Sequence, residues 1–167
     1  MGYNTVKVMK YLDIIKEYDA NAAITPGMLI ELMSTGKVRA HATAEGNVQP
    51  MFALEDELQG QDINDAYAAN DKVQCWIPVR GEEVYAILAD GQTAVIGSEL
   101  SSNGDGTLRV HVAEVESWEV SEAGEVAVYP NAIVAKALEA KDLSEGSESE
   151  SSAPGVGYDK RIRVEVM

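Results

Sequence analysis

The chain of 167 residues is predicted to be all-β: a small antiparallel β-sandwich or β-barrel with an N-terminal arm and a hairpin meander. Two observations predict this. Turn residues arrive at short intervals along the whole chain, and apolar runs of strand length lie between them. Many short strands at near-regular spacing point to a sandwich or a barrel. The composition agrees, with 46% hydrophobic and 25% charged residues. That is an ordinary globular mixture, and a chain of this size buries roughly 70% of its unfolded surface without needing a metal or a disulfide.

Residues 1–20 are read as the arm and 21–167 as one β domain. Val6 to Tyr18 admits two readings, a helix with Val8, Leu12 and Ile15 on one face, or an extended segment in which Val6 and Val8 alternate with lysines. Thr25-Pro26-Gly27 fits a turn, with Pro fixing φ at the first corner and Gly taking a positive φ at the second. Met28–Leu32, the turn Ser34–Lys37 and the alternating run Val38–Thr43 follow. Val73–Ile77 reads as a further strand. Asp90-Gly91 sits between Val84–Ala89 and Thr93–Ile96, and Asn103-Gly104-Asp105-Gly106 precedes Thr107–Val112. Residues 84–112 are therefore expected to form a three-strand meander. Glu125–Tyr129 and Arg161–Val166 look like strands. Asn131–Leu143 favours helix by propensity alone. The stretch 144–157 is acidic and rich in Ser and Gly, with little to bury, and is expected to be a flexible loop.

Charge narrows the function classes. Thirteen basic residues against 28 acidic ones give a formal charge of −15. Phosphate backbones and anionic membranes repel such a chain, so neither nucleic acid nor membrane is an expected partner. Residues 1–40 hold five basic and four acidic residues, whereas residues 41–100 hold Lys72 and Arg80 against eleven acidic ones. No signal peptide is expected, because lysines at 7, 10 and 16 interrupt the apolar residues of the N-terminus.

Local chemistry is sparse. Cys75 is the single cysteine and stands in an apolar run beside Trp76, which predicts a buried, inert thiol. His41 and His111 fall in alternating runs, facing solvent or a neighbour. Asn103–Gly106 superficially matches the start of a calcium loop, but Ser101 and Val112 occupy the positions of its two strongest ligands. Ser34-Thr35-Gly36-Lys37 lacks the upstream glycine of a phosphate loop, because Glu31 stands there. The carboxylates of 55–57, 82–83, 114, 116 and 119 are too many for any pair to single itself out. No catalytic residue, metal ligand or cofactor is assigned, and the chain is not expected to be an enzyme.

The order of features resembles a known family. Ala22–Leu32 around the Pro-Gly turn is similar to the opening of the head decoration (cement) proteins of tailed bacteriophages. Pro50–Asp56 resembles their second block, Asp71–Gln74 leads into a strand at the matching place, and Ile133–Ala140 with Arg161–Val164 resembles their closing hairpin. The resemblance implies that 133–140 is a strand, against its helix propensity. It also implies a structural protein of the virion, made in the host cytoplasm and bound as a homotrimer to the outer capsid surface. Its partner there would be the major capsid protein. Tyr3, Val6, Val8, Tyr11, Leu12 and Ile15 are the arm residues expected to contact the capsid or a neighbour. Those on an edge strand or helix packed on its own domain would make no such contact, and the sequence leaves both arrangements open. The chain is longer than the minimal members, chiefly through Gly60–Asp71 and Ala113–Val128. Rival readings are a carbohydrate- or cell-surface-binding module on a virion, and a small acidic hydrolase.

Overall fold

A computed structural model describes residues 3–112, 132–144 and 160–167. The expected strand at 125–129, the extra segment 113–128 and nearly all of the acidic loop at 144–157 lie outside these residues. What is described is all-β, in several antiparallel sheets, with a single short 3₁₀ turn at Glu57–Gln59.

The strands are β1 (Lys7–Met9), β2 (Ile15–Asp19), β3 (Ile30–Leu32), β4 (Val38–Ala40), β5 (Phe52–Ala53) and β6 (Lys72–Trp76). They continue as β7 (Glu83–Ile87), β8 (Thr93–Ala94), β9 (Glu99–Ser102), β10 (Leu108–Val110), β11 (Ile133–Ala137), β12 (Lys141–Asp142) and β13 (Arg161–Val166). The main sheet has the order β1-β7-β13-β11-β9-β10. It rolls until its far side meets β7 again, because Leu88 bridges Leu108 in parallel and the Ala89 N–H donates to the Leu108 carbonyl at 2.8 Å. Rolling a sheet in this way covers an edge that would otherwise stay open. A second sheet, β2-β6-β5, forms a middle layer. Phe52, Leu54 and Trp76 point from it into the core of the main sheet, with Val84, Leu100, Leu108, Val134 and Ile162. Ala53, Val73 and Cys75 point the other way, onto Ile30, Val38 and Ile24. The period-two alternation of side chains lets this one layer serve two cores.

Residues 133–137 form a strand, as the resemblance implies and propensity does not. β9 and β13 flank β11 and supply its backbone partners, while Val134, Ala135 and Ala137 are buried. Tertiary pairing overrides the helix preference of alanine here.

The meander expected over 84–112 is half correct. Asn103–Gly106 does join β9 to β10 in a hairpin, with Leu108 opposite Ser102. Asp90-Gly91 does not make one. Both flanks of β7 are already taken, by β13 and by β1, so the chain cannot fold back along it. Instead β8 pairs with β12, and the Gly91 N–H donates to the Leu143 carbonyl at 2.9 Å. Val95 and Ile96, expected in a strand, are exposed in the next turn.

The hairpin tip is closed by its own side chains. Asp105 accepts from the Thr107 N–H at 2.9 Å and from the Asn103 amide at 3.1 Å, both within the turn. Partial burial raises the Asp105 pKa, but the bonds from Thr107 and Asn103 outweigh it and hold the carboxyl below its ordinary value. A depressed folded-state value stabilises the fold above the unfolded pKa, and that stability is lost as pH falls through the folded value. Asp105→Asn is therefore expected to flatten the acid limb of the stability curve below about pH 4. Urea midpoints across that range check this, and an unchanged acid limb would contradict it.

Candidate functional site

The N-terminal segment takes the extended reading, and much of it is built into the body. Val6 is fully buried, and its carbonyl accepts from the Tyr85 N–H at 2.8 Å. Val8 packs against the same core. The Tyr3 ring meets Tyr85 edge-on, with centroids 5.4 Å apart, and the Tyr3 hydroxyl accepts from Arg163 at 3.1 Å. Tyr3, Val6 and Val8 thus behave as an edge strand on their own domain. Ile15 also starts an edge strand, β2, opposite Trp76, but its side chain is exposed, as are those of Tyr11 and Leu12 between the two strands. Met9 and Ile14, which the sequence pattern did not single out, stand exposed with them.

This clustering defines the candidate site. Among the described residues eleven large apolar side chains are exposed, and five of them fall between residues 9 and 15. Tyr11 is 68% exposed, Leu12 53% and Ile14 42%. Exposed apolar side chains concentrated in one segment are candidates for an interaction site. The stretch connects β1, an edge of the main sheet, to β2, an edge of the second sheet.

Two buried carboxylates hold it in place. Glu82 is fully buried and accepts from the N–H groups of Tyr11 at 2.5 Å, Leu12 at 2.7 Å and Val79 at 2.7 Å. Glu55, 5% exposed, accepts from the Val6 N–H at 3.1 Å and from the Thr5 hydroxyl. Charge-assisted bonds to backbone amides are the strong kind, and buried carboxylates are rarely tolerated without them. The side chains of 11–14 are therefore presented on a fixed backbone. Local charge is cancelled as well. Lys10 lies 2.5 Å from Asp13 and Lys7 3.5 Å from it. The Lys10 hydrogen bond, with the Lys7 charge beside it, holds the Asp13 carboxyl below its ordinary value. Residues 7–19 carry three lysines and three carboxylates, in contrast to the strongly acidic 41–100.

The other sequence candidates are accounted for singly. Cys75 is buried, and burial pushes its thiol up to about 12. Its thiol is expected to resist iodoacetamide in the native protein and to react at once in denaturant; labelling under native conditions would contradict this. His111 pairs through Nδ1 with Glu45 at 2.8 Å. Of the two settings left open for His41 the structure shows the neighbour: the ring is buried, and its Nδ1 lies 2.7 Å from the Ser102 hydroxyl. Tertiary structure has thus brought a serine to a histidine, but Ser102 is fully buried and its Oγ accepts from the Gly104 N–H at 3.1 Å. No substrate carbonyl can reach that oxygen, so the pair is not a nucleophile and base. No group of three metal-ligating side chains occurs among the described residues. No helix among them is long and apolar enough to cross a membrane. Neither the protein-family models nor the curated protein sequences give a match to this chain.

Proposed function

We propose that the protein decorates the outer surface of a tailed-phage head, docking on the major capsid protein and stabilising the shell as a cement protein. The observation that carries this reading is the charge-balanced apolar stretch 9–15, pinned to an otherwise acidic body by Glu82. Burying the exposed halves of Tyr11, Leu12 and Ile14 against a neighbour contributes about 1–2 kcal/mol for each side chain before the costs of association. Repeated over many copies, such a contact opposes separation of capsid subunits under internal DNA pressure. The acidic surface elsewhere keeps densely arrayed copies soluble and turned outward. The sequence resemblance adds a trimeric arrangement to this proposal. Tyr3, Val6 and Val8 serve as the segment's root in its own domain, and Tyr11, Leu12 and Ile15 with Met9 and Ile14 as the contact.

Deleting residues 1–18 would remove Val6 from the core, so point substitutions are the cleaner test. The double variant Leu12→Asp, Ile14→Asp should fold normally, since both side chains are exposed. In co-sedimentation with expanded heads it is expected to lose affinity by about 100-fold or more. Full affinity in the double variant would remove this stretch as the contact.

A further inference from the structure

We infer that the groove over His41 is a second, independent site that binds a neutral sugar residue. The groove has a volume of about 280 Å³ and is bounded by β2, β3 and the 47–51 stretch. That size, at the low end for small-molecule pockets, suits a monosaccharide unit.

Its polar chemistry is set from beneath. The buried Ser102 hydroxyl accepts from the Gly104 N–H at 3.1 Å and lies 2.7 Å from His41 Nδ1. In the proposed site the Ser102 hydroxyl donates to Nδ1, which leaves the ring proton on Nε2. The Nε2 lies 3.7 Å from Glu31 Oε2, too far for a hydrogen bond, while Glu31 Oε1 is held by Arg39 at 2.7 Å. A donor and an acceptor thus stand side by side, oriented by Ser102 and Arg39 and not bonded to each other. A sugar hydroxyl that accepts from Nε2–H and donates to Oε2 would close that gap. Tyr18, Leu32 and Met51 supply an apolar wall for the C–H face of a pyranose. Neutral ligands are favoured over anionic ones by the charge of −15.

The test is a titration of ¹⁵N-labelled protein with glucose, galactose, mannose and N-acetylglucosamine, followed by amide shifts. Saturable shifts from at least one sugar are expected at Tyr18, Glu31, Leu32 and Gln49. Glu31→Gln should weaken binding by about tenfold by removing the charged acceptor. Leu32→Asp, at a position 53% exposed, should abolish it without unfolding the protein. Absence of shifts with all four sugars would overturn the inference, and so would shifts that persist equally in both variants. Binding of an extended peptide but of no sugar would overturn it too. Leu12→Asp should leave the titration unchanged, which separates this site from the capsid contact.

Discussion

Replacing Gly27 by alanine is expected to destabilise the fold by more than about 3 kcal/mol. Two independent costs combine there. Gly27 has φ +89°, a left-handed conformation that L side chains avoid. A Cβ at that position would also overlap the Arg161 guanidinium and lie 3.0 Å from the Tyr85 carbonyl oxygen. Neither neighbour can yield cheaply. Arg161 is 1% exposed and donates to the Ile63 carbonyl at 2.5 Å, and Tyr85 belongs to the ladder of β7. The Gly27 N–H itself donates to the Ala53 carbonyl at 2.7 Å, tying the turn to the middle layer. Gly36 provides the control: its φ is +81°, and nothing lies within 4 Å of a built Cβ. Gly36→Ala should therefore cost only the conformational share, about 1–2 kcal/mol. Urea unfolding of both variants measures the difference. Equal losses would mean that the approach of Arg161 does not matter.

The second large effect is expected at Glu82. Glu82→Ala withdraws the acceptor shared by three backbone amides and should cost about 2–3 kcal/mol. The more telling consequence is local. Hydrogen exchange at Tyr11 and Leu12 should speed up by about 100-fold as the stretch lifts off the body. Affinity for expanded heads should fall with it, although Glu82 is fully buried and cannot touch a capsid. Glu83→Ala is the comparison, because its pairing with Arg163 is a long 3.9 Å contact worth about 1 kcal/mol or less. If exchange at Tyr11 and Leu12 does not change in Glu82→Ala, the carboxylate is not what presents the stretch.

These two residues also mark where the sequence was readable and where it was not. The Thr25-Pro26-Gly27 turn is visible locally, because a positive φ after Pro calls for glycine. The strands at 73–77 and 161–166 and the hairpin at 103–106 are visible for similar reasons, as alternation and turn chemistry act over a few residues. Asp90-Gly91 misleads because a hairpin also needs a free flank, and β13 occupies that flank from some seventy residues away. Glu82 and Glu55 looked like members of an acidic surface. Most of their partners are backbone amides 49 to 71 positions distant, and an amide leaves no mark in the side-chain pattern. For His41 the sequence left solvent and a neighbour both open, and the neighbour it meets, Ser102, lies 61 residues on. Hydrophobicity alone did mark the N-terminal segment as apolar. It could not separate Val6, which faces inward, from Leu12, which faces out.

The most direct test of the decoration role is the copy number of this chain in purified phage particles from the source, by quantitative mass spectrometry against the major capsid protein. A shell-wide cement predicts a ratio within a few-fold of one. Complete absence from particles would contradict the role, and a ratio of a few per cent would move the protein to a spike or another minor part.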